Sequence, residues 1–208
     1  MLRVGLTGSI AVGKSYVSQV LAKLGCHVLD ADQTARAVVA PETTGLQRIV
    51  ETFGTEVLHA DGTLDRAKLG AIVFADERAR QQLNALLHPL IMAAQDEWLQ
   101  ARAAEDPRGV AVIDAALMIE SGGYKRFDKL IVVHCRPPVQ LERLMRRERI
   151  TRAVAEQRIA AQMAQTEKMR YADFLIDSSD GFENTRRQTE AVYQELRSLA
   201  AGAETRHD

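Results

Sequence analysis

Residues Gly8 to Ser15 read GSIAVGKS and satisfy GxxxxGK(S/T) at every fixed position. The block before them, Leu2 to Thr7 (LRVGLT), is short and apolar and predicts a strand, while Lys14 to Leu24 carries Val17, Val20, Leu21 and Leu24 at helical spacing. A glycine-rich turn between a strand and a helix can bind polyphosphate, because successive backbone N–H groups curl into a nest at the positive end of the helix. Gly8 and Gly13 permit close backbone approach or positive φ. Lys14 would place a point charge on the β and γ phosphates, and the Ser15 hydroxyl would be a ligand of Mg²⁺. Gly8, Ser9, Ile10, Ala11, Val12, Gly13, Lys14, Ser15 and Tyr16 are therefore candidate ATP-binding residues. The competing reading is a glycine-rich turn capping an ordinary helix. A chance match to the pattern in a chain of 208 residues is roughly a one per cent event.

Outward from this loop, apolar blocks alternate with helical segments. His27 to Asp30, Val110 to Asp114, Leu130 to Cys135 and Phe174 to Asp177 predict four further strands, none with strict polar alternation. Strands apolar on both sides and separated by helices predict a parallel sheet covered on both faces, an α/β three-layer fold with about five strands. Between Asp32 and Pro107 no strand is expected, but helices are, at Gly45 to Phe53, Asp65 to Phe74, Asp76 to Leu87 and Pro89 to Ala104. That stretch reads as a helical insertion, residues 32–106, in a core formed by 1–31, 107–138 and 173–200. A second helical excursion, residues 139–172, reads as a lid. A closing helix is expected over Glu183 to Leu199, with residues 200–208 frayed after it.

Composition bounds the function. A hydrophobic content of 46% and charged content of 26% exclude disordered and low-complexity classes, and a net charge of −1 argues against a nucleic-acid or membrane coat. No apolar run approaches a membrane span, and the N-terminus breaks into Gly and Ser too early for a signal peptide. Cys26 and Cys135 stand outside any metal or disulfide spacing, so buried free thiols in a reducing cytoplasm are expected. Monomer is the default.

A phosphate loop alone does not choose among kinase, ATPase and GTPase. The chain lacks an NKxD sequence for guanine and is too short for a motor, so a small kinase fits best. Asp32, beyond the second strand, can accept a proton from an incoming hydroxyl, while Arg36 pairs with an acceptor phosphate. In the alternative, Asp30 or Asp32 caps the next helix. Asp114 closes a run, VAVID, like a Walker B strand, so either Asp32 or Asp114 is the carboxylate on the metal side. His88, beside Pro89 between two expected helices, can bond a phosphate or ribose or act as a structural cap. Six arginines, Arg143, Arg146, Arg147, Arg149, Arg152 and Arg158, stand against Glu148 and Glu156 in the lid region. Arg143 and Arg147, four apart on one helical face, can reach the transferring phosphoryl group or the adenine face. Solvated pairing explains some of the six.

The ordered set GLTGSIAVGKS, DADQTAR (Asp30 to Arg36), ALLHPLI (Ala85 to Ile91), DAALMIESG (Asp114 to Gly122), VQLERLMRRE (Val139 to Glu148), RIAAQ (Arg158 to Gln162) and YADFLIDSS (Tyr171 to Ser179) resembles the dephospho-CoA kinase family. The resemblance implies a five-stranded kinase fold and ATP-dependent phosphorylation of the ribose 3′-hydroxyl of dephospho-CoA. It also implies Asp32 as general base, Lys14, Arg143 and Arg147 as catalytic groups on the ATP side, and Arg36, His88 and Leu117 in the acceptor pocket. The helical insertion then binds the CoA moiety, and closure of the lid excludes water. Another small-metabolite kinase, or a non-catalytic ATP- or CoA-binding regulator, are the other readings. Three departures stand out. Ser9, Ala11 and Val12 replace the usual Gly, Gly and Ser; Ala115-Ala116-Leu117 lacks the usual proline; and Ser178 replaces an asparagine. If Ala11 takes positive φ, it carries strain of about 1 kcal/mol.

Overall fold

A computed structural model describes residues 1–202. In chain order its elements are β1 (Leu2–Thr7), α1 (Lys14–Lys23), β2 (His27–Asp30), α2 (Ala31–Ala37), α3 (Thr44–Phe53), α4 (Arg66–Ala75), α5 (Glu77–Glu105), β3 (Val110–Asp114), β4 (Lys129–His134), α6 (Pro137–Glu148), α7 (Arg152–Ala160), α8 (Gln165–Lys168), β5 (Phe174–Asp177) and α9 (Gly181–Gly202). Short 3-10 turns lie at Thr55–Val57, Gly123–Arg126 and Met169–Tyr171. The chain forms two compact units, one of Met1–Leu29 with the residues from Arg102 onward, the other Asp30–Ala101.

In the first unit the apolar blocks become one five-stranded sheet in the order β2-β3-β1-β4-β5. The pairs β1/β3, β1/β4 and β4/β5 are parallel. Their side chains Val4, Leu6, Val112, Ile131, Val133 and Ile176 join Val17 and Leu21 of α1 and Val192 and Leu196 of α9 in one core. Each such burial contributes about 1.5–3 kcal/mol, which explains why branched residues fill strands apolar on both faces. Gly5 at the centre of β1 leaves room for side chains of the neighbouring segments, since a Cβ there would stand 2.5 Å from Met118 Sδ and 2.8 Å from Leu130 Cδ1. From β1 the chain leaves to one side for β2 and β3, then crosses to β4 and β5 on the other. Ligands of open α/β sheets bind outside the strands' carboxyl ends at such a reversal, and the phosphate loop follows β1 there.

The second unit has its own small core of Val39, Ile49, Val57 and Leu69, with Phe53, Ile72, Leu83, Leu86 and Leu87 packed on it. Its helices start where the sequence supplies caps. The Thr43 hydroxyl accepts the Leu46 N–H at 3.2 Å, and Asp65 accepts those of Ala67 and Lys68 at 3.1 and 3.0 Å. A cap of this kind contributes about 1 kcal/mol.

Most elements lie within two residues of the expected positions, and two regions differ. The two helices expected on either side of His88-Pro89 are one helix, α5, with Pro89 inside it. Proline in a helix interior costs about 3 kcal/mol. Leu83, Leu86 and Leu87 before it are anchored in the small core, and Leu90 after it lies beside Gly45, so packing carries the helical register through the proline. Ala85, whose carbonyl loses its amide partner, is exposed, and water can replace the missing donor. At the C-terminus, Ala200–Gly202 continue α9, with Ala200 buried in the main core, rather than fraying. The remainder of the tail expected to fray, residues 203–208, lies outside the described residues. Both cysteines are buried free thiols; burial pushes Cys26 up to about 12, against a smaller opposing effect of Arg197.

Candidate active site

The phosphate loop spans the gap between Thr7, the last residue of β1, and Lys14, the first of α1. Gly13 caps α1 with φ of 87°, and Ala11 takes φ of 61°. The alanine thus holds a left-handed conformation that costs an L-residue about 1–2 kcal/mol. Gly8 lies against β4, since a Cβ there would stand 2.6 Å from the Val133 carbonyl oxygen.

Side chains from neighbouring elements hold this strained loop. The Ile10 N–H donates to Gln162 Oε1 at 2.8 Å, and Gln140 Nε2 donates to the Ile10 carbonyl at 2.8 Å. Gln165 Nε2 in turn donates to Gln140 Oε1 at 2.7 Å, and the Cys135 N–H donates to Gln165 Oε1 at 2.9 Å. Gln140 is 2% exposed, so its own amide oxygen and nitrogen need these partners. On the other side of the loop, the Ser178 hydroxyl donates to the Val12 carbonyl at 2.6 Å. Arg143 grips the same serine with both terminal nitrogens, Nη1 to Oγ at 2.9 Å and Nη2 to the carbonyl at 2.8 Å. A planar, always-charged guanidinium is thereby fixed beside Gly13.

Lys14 forms an ion pair with Asp114. The register explains the meeting, because Asp114 ends β3 directly opposite Leu6 of β1, just before the loop. Ser15 is exposed at the first turn of α1. A hydroxyl and a carboxylate are hard oxygen donors of the kind a small divalent cation takes when phosphates complete its shell. Among the described residues no group of three or more His, Cys, Asp or Glu side chains could hold a metal by itself. Arg147 is half exposed and pairs with Glu148 at 2.8 Å; Arg158 pairs with the same carboxylate and Arg152 with Glu156, so solvated pairing accounts for Arg152 and Arg158. The hydrogen bond from Arg147, with the charge of Arg158 beside it, holds Glu148 below its usual range despite some desolvation. Burial pushes the Cys135 thiol up, Arg143 opposing it. Burial would also raise Asp177, but the Ser179 hydroxyl and N–H outweigh it, and His134 and Arg136 add to the lowering.

The remaining predicted residues belong to the second unit. Asp30 caps α2, its carboxylate accepting the N–H of Asp32 at 2.8 Å and of Gln33 at 3.4 Å. This leaves the Asp32 carboxylate outside the cap, exposed on the first turn and one helical turn from the exposed Arg36. His88 is exposed on α5. Leu117, in the first unit, is 54% exposed three residues past β3.

The family model for dephospho-CoA kinases (CoaE) matches residues 2–184. The chain belongs to the dephospho-CoA kinase family. A dephospho-CoA kinase of Streptomyces avermitilis is 44% identical, over 94% of this chain and 94% of its own. One of Shouchella clausii is 45% identical, over 96% of this chain and 99% of its own. The solved structure of a dephospho-CoA kinase from Campylobacter jejuni superposes with a TM-score of 0.65 at 27% identity, covering 93% of this chain and 96% of that one. The chain is thus an ATP-dependent kinase with the parallel-sheet fold expected from its sequence. Among the described residues no helix is long and apolar enough to cross a membrane.

Sequence reasoning missed the amide chain of Gln140, Gln162 and Gln165, and Lys168. All lie on helices or turns where polar residues are expected in water, and no local pattern marks a glutamine or lysine that faces inward. Ser178 drew notice only as a departure from asparagine, yet it joins Arg143 to the phosphate loop.

Proposed function

We propose that the kinase transfers the γ-phosphoryl group of ATP to the ribose 3′-hydroxyl of dephospho-CoA, giving CoA and ADP, with Asp32 as general base. The observation that carries the ATP side is the convergence of Lys14, Asp114 and Arg143 on the phosphate loop. The nest of backbone N–H groups binds the phosphates, and Lys14 leaves Asp114 for the β and γ oxygens. Asp114 and the Ser15 hydroxyl would hold the Mg²⁺ that comes with ATP, and the ion would offset phosphate charge. Arg143, with Arg147, stabilises charge on the transferring group.

In the step itself the 3′-oxygen forms a bond to the γ phosphorus while the bond from that phosphorus to the β–γ bridging oxygen breaks. The proton of the hydroxyl passes to the Asp32 carboxylate, and ADP leaves with the bridging oxygen. An exposed carboxylate whose neighbouring helix amides are already satisfied by Asp30 is available for that proton. Arg36 and His88 pair with acceptor phosphate or ribose, and the exposed Leu117 offers apolar contact. Helical residues 32–106 bind the rest of the acceptor, and residues 139–172 act as the lid.

The test is purified protein with MgATP and dephospho-CoA, read by coupled ADP formation and by the position of the new phosphate. CoA and ADP in equal amounts are expected. ADP no higher than without acceptor, or turnover only with another metabolite, would reject the reading.

A further inference from the structure

Among the described residues Lys168 is the largest fully buried side chain, at 0% exposure. Its ammonium donates to the Ala116 carbonyl at 2.9 Å and pairs with Glu120 at 2.7 Å. The same carbonyl accepts the hydroxyl of Thr7, the last residue of β1, at 3.1 Å. The peptide joining Asp114 to Ala115 is tied down too, the Ala115 N–H donating to the Leu6 carbonyl at 3.0 Å. The segment leaving β3, Asp114 to Leu117, is thus clamped between the end of β1 and one buried cation. Its first residue holds Lys14 and its last is an exposed leucine.

Stability does not account for this arrangement. A fully desolvated ammonium is costly even though the side chain of its partner Glu120 is 23% exposed, and apolar residues of similar volume usually match or exceed such a pair in stability. A methionine in place of Lys168 would fill the same space without the desolvation cost. What methionine cannot do is hold a carbonyl oxygen in one place. On α8 Gln165 faces the opposite task, joining the amide chain that holds Ile10 of the phosphate loop. One short helix therefore ties down both strand-end segments that flank the site.

We propose that Lys168 is a positioning residue for phosphoryl transfer, fixing the turn after β3 so that Asp114 and Leu117 meet the donor and acceptor in productive geometry. The inference rests on the kinase reading above and adds a residue outside the site. Misplacing reacting groups by about 1 Å costs about a hundredfold in rate. Lys168→Met should lower kcat by roughly tenfold to a hundredfold while moving the KM for ATP less than about threefold, because the phosphate loop keeps its own supports.

The measurement is kcat and each KM, normalised to folded enzyme by calorimetric unfolding, for wild type, Lys168→Met and Lys168→Met with Glu120→Leu. The double variant leaves no carboxylate without its cation and should unfold no lower than wild type while keeping the loss in kcat. Wild-type kcat in either folded variant overturns the proposal, as does failure of both to fold, since Lys168 is then a structural support only. A wild-type enzyme that makes no CoA rejects the kinase reading instead, and this outcome is read before any variant.

Discussion

The two units hold their polar groups in opposite ways. Around the phosphate loop, Gln140, Lys168 and Ser178 are buried and each is paired, so the backbone that meets ATP is set before any ligand arrives. In the unit Asp30–Ala101, Asp32, Arg36 and His88 stand exposed on helices, and the polar contacts that support them are caps such as Asp30. A phosphate chain demands the same nest in every turnover, whereas an acceptor hydroxyl needs a carboxylate with free lone pairs. On the function proposed above, the fixed donors of the first unit meet phosphate and the solvated side chains of the second supply acid-base and anion-binding groups.

The strongest way to break that comparison is Asp32→Asn. If the acceptor side acts through a solvated carboxylate, kcat falls by about 10²- to 10⁴-fold. Unfolding and ATP affinity should stay at wild-type values, because Asp30 and not the Asp32 side chain caps α2. Turnover near wild type in the coupled ADP assay would remove Asp32 from the chemistry. Gln140→Leu tests the other side. It leaves the Ile10 carbonyl and one amide hydrogen of Gln165 without partners in a partly buried place, at a cost of about 1 kcal/mol each, the low end for a buried group. Urea unfolding should show at least one such loss, and the KM for ATP should rise. Unchanged stability would mean that the loop does not depend on the amide chain.

A smaller effect concerns pH. Asp177 is lowered below its ordinary 3.8 despite burial, through the hydroxyl and N–H of Ser179, with His134 and Arg136 adding to the lowering. A carboxyl depressed on folding stabilises fully above the unfolded pKa of about 3.9 and loses that contribution as pH falls through the lower folded value. Asp177→Asn should therefore lower stability at neutral pH and flatten the loss of stability in acid below about pH 4. An acid limb identical to wild type would show that Ser179 does not distinguish the carboxylate from its amide.

How much of this was legible in sequence follows from how far each residue's partner lies along the chain. GSIAVGKS names its own structure, since strand, turn and helix are contiguous and the glycines leave few alternatives. The strands were legible for a similar reason, as apolar blocks with no polar face have one place to go. Pro89 was misread because the leucines that carry α5 through it act by packing, which no local rule contains. Lys168 was invisible because its partner Ala116 is 52 residues away and offers a backbone carbonyl, which has no signature in sequence. The amide chain joins residues 130 and 152 positions from Ile10.

Ala11 and Glu42 give the finest test of the contrast. Both are non-glycine residues with positive φ, 61° in the phosphate loop and 67° in the second unit. In an unconstrained chain glycine relieves about 1–2 kcal/mol of left-handed strain and loses about 0.4–1 kcal/mol through a freer unfolded state. Glu42→Gly, at an exposed turn, should therefore stabilise by roughly half a kcal/mol in urea unfolding. Ala11→Gly should gain the same in stability, because the strain is backbone and local. Its effect on ATP should nevertheless be slight, since Gln140, Gln162 and Ser178 hold the loop on both sides of residue 11 whatever its side chain. A KM for ATP that moves more than about threefold, a free energy of about 0.65 kcal/mol, would mean that Ala11 itself helps to set the nest and that its strain is part of how the loop meets phosphate.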